Sequence, residues 1–256
     1  MSKIAKAFEN GKAFIPFIAA GDPDAETTVQ ILLEMIRAGA DLIEVGIPFS
    51  DPTSEGPVIQ SSDVRALQAG IKTEDVFEIV AKVREQSDIP IVFLTYLNPV
   101  YCYGYEAFMK RCKEVGVDGV ICPDLPYEEK HELSDIADVY GIDMISLIAP
   151  TSESRIQMIA KEATGFIYVV SSMGVTGVRK EITTDVGEIV KAIRKVTDVP
   201  CAVGFGISTE EQAAQMAAVS DGAIVGSAIV KIIEQYGKES PAYVYEYVKK
   251  MKDALR

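Results

Sequence analysis

A rhythm constrains this chain more than any other feature: eight short apolar, β-branched runs are separated by segments of helical spacing. The runs are Phe14 to Ala19, Leu42 to Ile47, Ile91 to Tyr96, Gly119 to Cys122, Met144 to Ala149, Phe166 to Val170, Cys201 to Gly204 and Ala223 to Val225. They are apolar almost throughout rather than alternating, as parallel strands covered on both faces require. Between them, Val29, Leu32, Leu33 and Ile36, then Val76, Ile79, Val80 and Val83, then Val186, Ile189, Val190 and Ile193 follow the i, i+3, i+4, i+7 stripe of half-buried helices. Gly39-Ala40-Asp41, Gly116-Val117-Asp118 and Gly141-Ile142-Asp143 each put a helix stop and a turn former ahead of a strand, and Ser220-Asp221-Gly222 resembles them. Eight such units in 256 residues predict a single α/β domain over residues 1–256, a (β/α)8 TIM barrel, with an open doubly wound sheet as the competing topology.

Composition narrows the chemistry. With 25 basic against 38 acidic side chains and a net charge of −13, the chain lacks the clustered cations that replace counterions on nucleic acid. No apolar run approaches the roughly 20 residues of a membrane helix, and the first residues lack a signal-peptide core, so a cytoplasmic, unprocessed protein is expected. Cys102, Cys112, Cys122 and Cys201 form no Cys-x-x-Cys pair, and His131 is the single histidine, so no metal site is expected. His131 reads as a solvated surface group and the cysteines as packing residues, with Cys122 at a strand end able to line a pocket.

A barrel carries its chemistry on the loops at the C-terminal ends of its strands. None of the eight runs contains Lys, which disfavours a Schiff base there. The ionisable residues in or just after them are Glu44, Tyr96, Asp124 and Tyr168. Glu44 stands amid Leu42-Ile43-Glu44-Val45-Gly46-Ile47, where desolvation raises a carboxyl's pKa toward the range useful for giving and taking protons. The bland alternative is a Glu paired with a buried hydroxyl or amide. The long polar loop from Pro48 to Pro57 follows, and its Glu55, beside Gly56, is the better of its two carboxylates for reaching a ligand. Ser171 to Gly177, Gly204 to Ser208 and Gly226-Ser227-Ala228 follow the sixth, seventh and eighth runs. Their glycines, with the helix that Ser227 opens, suit a phosphate group.

These residues resemble the alpha subunits of tryptophan synthase. The resemblance rests on Ile15 to Pro23, on Glu44-Val45-Gly46-Ile47-Pro48-Phe49-Ser50-Asp51-Pro52, on Gly56 to Gln60, on Gly174 to Gly177, on Gly204 to Ser208 and on Gly226 to Val230. It implies cleavage of indole-3-glycerol phosphate to indole and glyceraldehyde 3-phosphate, with no cofactor in this subunit. Glu44 stands at the family's general acid/base. Glu55 stands where the family usually has an aspartate that holds the indole N–H. The resemblance places Tyr168 in the pocket, Phe17, Leu94 and Phe205 around the indole, Gly177, Gly206, Gly226 and Ser227 at the phosphate, and Thr176 on a closing loop; Tyr96 is expected beside the substrate. It further implies a beta-subunit partner carrying pyridoxal phosphate in an alpha-beta-beta-alpha complex, contacted through the Ser50 to Glu55 and Asn98-Pro99 loops. Two other readings compete: a barrel phosphosugar isomerase, and a non-catalytic subunit that only activates its partner.

Overall fold

The computed structural model describes residues 3–171, 186–204 and 206–255. Among the described residues, nine parallel strands form one sheet: β1 Ala13–Ala19, β2 Ile43–Gly46, β3 Ile91–Leu94, β4 Gly119–Ile121, β5 Asp143–Met144, β6 Ser146–Ile148, β7 Ile167–Val170, β8 Cys201–Gly204 and β9 Gly222–Val225. Their order is β5-β4-β3-β2-β1-β9-β8-β7-β6. The two edges, β5 and β6, are consecutive in the chain and separated only by Ile145, so the sheet curls into a barrel.

The expected fifth run therefore splits. Its first half pairs with β4 and its second with β7, and the Ile145 N–H still donates to Val120 O at 2.9 Å. One short segment bridges two neighbours because closing a barrel leaves it no single partner along its length.

Strand parity sorts the side chains. Ile15, Leu42, Val92, Ile121, Phe166 and Ile224 fill the interior, with Ile4 of the helix Lys3–Lys6 packed among them. Phe14, Ile18, Ile43, Val45, Phe93 and Val120 face the helices. Both faces are apolar, which is why the runs do not alternate. The stripes of Thr73–Arg84 and Val186–Arg194 are buried as expected. On Ala25–Ala38 the stripe is rotated: Ile31, Leu32 and Met35 are buried, while Val29, Leu33 and Ile36 are half-buried.

The Gly-x-Asp repeats have a shared purpose at the N-terminal end of the barrel. Gly39 and Gly116 stop their helices at φ of 101° and 80°, a region open to glycine. Three of these aspartates then accept an N–H at the start of the preceding strand: Asp41 from Phe14 at 2.7 Å, Asp118 from Ile91 at 3.0 Å and Asp221 from Cys201 at 2.7 Å. Each also holds a cation, Lys252, Arg84 and Arg194 respectively. The repeat ties adjacent strands together at the end opposite the glycine-bearing loops.

His131 is exposed and meets Asp135 at 2.9 Å. Cys112, Cys122 and Cys201 are buried, but Cys102 is exposed, against expectation, on the short helix Leu97–Tyr103. No helix among the described residues is long and apolar enough to cross a membrane.

Candidate active site

Glu44 shares the parity of Leu42, so its side chain projects into the barrel. It is 1% exposed, and its Oε2 has no hydrogen-bond partner among the described residues. Burial, reinforced by the charge of Glu55, raises its pKa to about 8. A carboxyl this deeply buried in an apolar barrel keeps its proton through neutral pH.

Glu44 opens onto a cavity of about 650 Å³ whose lining includes Phe17, Glu55, Ile59, Leu94 and Tyr168. Gly206, Gly226 and Ser227 also line it. Phe17 and Glu44 are register partners on β1 and β2. Glycines make room for the rings: a Cβ at Gly46 or at Gly226 would stand 2.9 Å from the Phe17 ring, and one at Gly204 would overlap the Tyr168 hydroxyl. Burial, followed by the charges of Glu44 and Glu55, raises the Tyr168 phenol well above its usual range, so it stays protonated. Ser227, 9% exposed, is the first residue of the helix Ser227–Tyr236. The first N–H groups of a helix lack intrahelical partners, and its dipole favours an anion there.

Glu55 lies near the end of the irregular stretch after β2 and is 3% exposed. Its position is held from two sides: Tyr96 Oη donates to Oε1 at 3.4 Å, and Gln60 Nε2 donates to its backbone oxygen at 2.7 Å. Tyr96 is placed behind Glu55 rather than in the cavity lining; it accepts the Ser54 N–H at 3.1 Å and stacks on Phe49 at 5.6 Å. Tyr96, expected beside a ligand, touches Glu55.

Of the residues predicted for the site, Glu44, Glu55, Phe17, Leu94, Tyr168, Gly206, Gly226 and Ser227 converge on this cavity. Thr176, Gly177 and Phe205 lie outside the described residues, as does most of the loop from Ser171 onward. Cys122 lines the cavity, with its thiol held neutral by burial.

Sequence reasoning missed a polar network under Glu55. Asp63, on the helix Pro57–Gln68, is buried, and its pKa is raised to about 8 by burial and by Glu55 and Asp22. Asp22 is 1% exposed and accepts from Ser62 Oγ at 2.6 Å and from Arg65 Nε and Nη2 at 2.9 and 2.7 Å. A signal was present: Ile59, Ser62, Asp63 and Ala66 follow the i, i+3, i+4, i+7 pattern, which puts two polar side chains on the buried face.

The chain matches the family model for the tryptophan synthase alpha chain over residues 4–256. It is 52% identical over 255 residues to a tryptophan synthase alpha chain from Lacticaseibacillus casei, covering all of this chain and 96% of the relative. A crystal structure of a tryptophan synthase alpha chain from Legionella pneumophila superposes with a TM-score of 0.89 at 37% identity, covering 100% of this chain and 97% of that one. A structure describing mutual activation of the tryptophan synthase α2β2 complex of Pyrococcus furiosus gives a TM-score of 0.85 at 36% identity, covering 95% of this chain and 99% of that one. A barrel of this order, the buried Glu44 and full-length similarity agree: the chain belongs to the tryptophan synthase alpha chain family.

Proposed function

We propose that this chain is a lyase that cleaves indole-3-glycerol phosphate to indole and glyceraldehyde 3-phosphate. The observation that carries the reading is the Glu44 carboxyl, protonated by burial and facing an apolar cavity beside Phe17. Breaking the carbon–carbon bond needs an electron sink, and the indole ring supplies one once C3 is protonated. Glu44 gives its proton to C3, and the ring nitrogen takes the positive charge. Glu55 accepts the indole N–H and stabilises that charge. The side-chain hydroxyl next to the ring loses its proton to the Glu44 carboxylate, the carbon–carbon bond breaks, and its electron pair returns to the ring. The products are neutral indole and an aldehyde, and Glu44 is protonated again.

Phe17, Leu94 and Tyr168, with Phe205, form the slot for the ring. Gly206, Gly226 and Ser227, with Gly177, take the phosphate at the opposite rim, and Thr176 belongs to a closing loop. The chain works as one domain in the cytoplasm, without a cofactor of its own. Its partner is a beta subunit carrying pyridoxal phosphate, in an alpha-beta-beta-alpha assembly, met through the Ser50 to Glu55 and Asn98-Pro99 loops. Support for the partner comes from the α2β2 complex of Pyrococcus furiosus.

The test is a steady-state assay of indole formation from indole-3-glycerol phosphate, with and without a beta subunit. Indole release by the parent and its loss in Glu44→Gln are expected. No indole under either condition overturns the reading.

A further inference from the structure

We propose that Arg65 is a positioning residue that sets the separation between Glu55 and the Gly226–Ser227 rim of the cavity, an inference that rests on the function proposed above. Arg65 joins three elements, and each carries a different part of the site. Its Nε and Nη2 grip Asp22, which follows β1, the strand of Phe17. Its Nη1 donates to Glu234 at 3.0 Å, on the helix that Ser227 opens. Arg65 itself lies on the helix Pro57–Gln68, whose N-cap, Gly56, follows Glu55.

These contacts span 43 and 169 residues of sequence, so no local structure enforces them. The helix is a rigid lever. From Pro57 to Arg65 it runs about 12 Å, at 1.5 Å per residue. Near the grip, Gly21 lets the chain pass against Ile71, since a Cβ there would overlap that side chain. Ser62 Oγ adds a third donor to Asp22 on the same helix face. A planar guanidinium can hold Asp22 with one edge and Glu234 with the other; a lysine ammonium is a point charge and cannot reproduce that fork. Small displacements matter, because moving a reacting group by about 1 Å can cost about 10²-fold in rate.

The junction also has an electrostatic side. Asp22, Glu55 and Asp63 gather around it, with Glu234 on the outer side, Tyr96 behind Glu55 and Glu44 across the cavity. Arg65 is the cation paired with Asp22 there. Without it, the buried Asp22 charge adds, uncompensated, to the field on Asp63, which also feels Glu55.

The experiment measures kcat, KM and the pH profile of indole formation for the full chain with its beta subunit. Variants are Arg65→Met, Arg65→Lys, Glu234→Gln and the double replacement Asp22→Asn with Arg65→Met. Arg84→Met, which breaks the comparable buried pair with Asp118 at the other end of the barrel, is the control. Arg65→Met is expected to lose about tenfold or more in kcat, with a smaller change in KM, and to move the acid limb upward. Arg65→Lys keeps the acid limb but loses kcat. Glu234→Gln gives a smaller loss in the same direction, and the double replacement returns the acid limb without returning kcat. The control lowers thermal stability with kcat within about twofold of the parent.

A kcat and acid limb unchanged within about twofold in both Arg65 variants overturns the proposal, even if melting temperature falls. Should Arg65→Met fail to fold, Arg65→Lys and Glu234→Gln decide by the same criteria. A parent that forms no indole overturns the proposed function and this inference together, whereas an active parent with indifferent Arg65 variants overturns only the inference.

Discussion

Phe17 and Glu44 face one another across the β1–β2 ladder, so a carboxyl in the barrel interior stands beside an aromatic ring, its Oε2 without a hydrogen-bonding partner among the described residues. The ring denies the carboxylate hydration. Desolvation is accordingly the first cause of its raised pKa, ahead of repulsion from Glu55.

Glu44→Gln removes the proton donor while keeping shape. Indole formation should fall by about 10² to 10⁴-fold, the usual contribution of general acid/base catalysis, with the circular dichroism spectrum unchanged. Turnover within tenfold of the parent would exclude Glu44 from the reaction.

The same group makes stability pH-dependent, with a definite sign. Its folded pKa of about 8 lies above the reference 4.5, so between these values the native state holds more protons than the unfolded chain. Stability therefore falls as pH rises through that window. Melting temperatures at pH 5 and pH 8 should differ less in Glu44→Gln than in the parent; an equal or larger difference would contradict the assignment.

Glu55 adds its charge to that of Glu44 and receives the Tyr96 hydroxyl. Glu55→Gln should lower the pH at which Glu44 titrates, read from the alkaline limb of kcat/KM, besides reducing the rate. Glu55→Asp should preserve or raise activity if the loop tolerates the shorter acid. A clear loss would show that the stretch before Pro57 is adapted to the longer side chain and its Tyr96 contact.

Gly204 is silent in the chemistry yet constrains it. A methyl group at this position would overlap the Tyr168 hydroxyl. Gly204→Ala should cost about 1–3 kcal/mol, typical of overpacking, and should raise KM as the Tyr168 ring is displaced. Urea unfolding and steady-state kinetics test the two effects separately, and an unchanged KM would show that the ring is not part of the slot.

At the other end of the barrel, Arg84 donates to the Gly116, Ser87 and Ile89 oxygens and to Asp118. Arg84→Met leaves Asp118 without its cation in a largely buried place. A loss of roughly 3–5 kcal/mol in urea unfolding is expected, as for other broken buried pairs. A loss below 1 kcal/mol would show that the Ile91 N–H alone satisfies Asp118.

Local pattern determined a great deal here. Uninterrupted apolar runs required strands covered on two faces, and helical spacing between them required a wound α/β fold. Glu44 was legible because a carboxylate in such a run has nowhere to put its charge. Gly226-Ser227 was legible as a strand end opening a helix, and both residues line the cavity. Closure of the barrel decided the rest. It split the fifth strand at Ile145, put Tyr96 behind Glu55 instead of in the cavity, and brought Arg65 to Asp22 and Glu234. Periodicity reports which face of an element is buried. It carries no information on which distant side chain arrives there, because that depends on how strands far apart in the chain come to lie side by side.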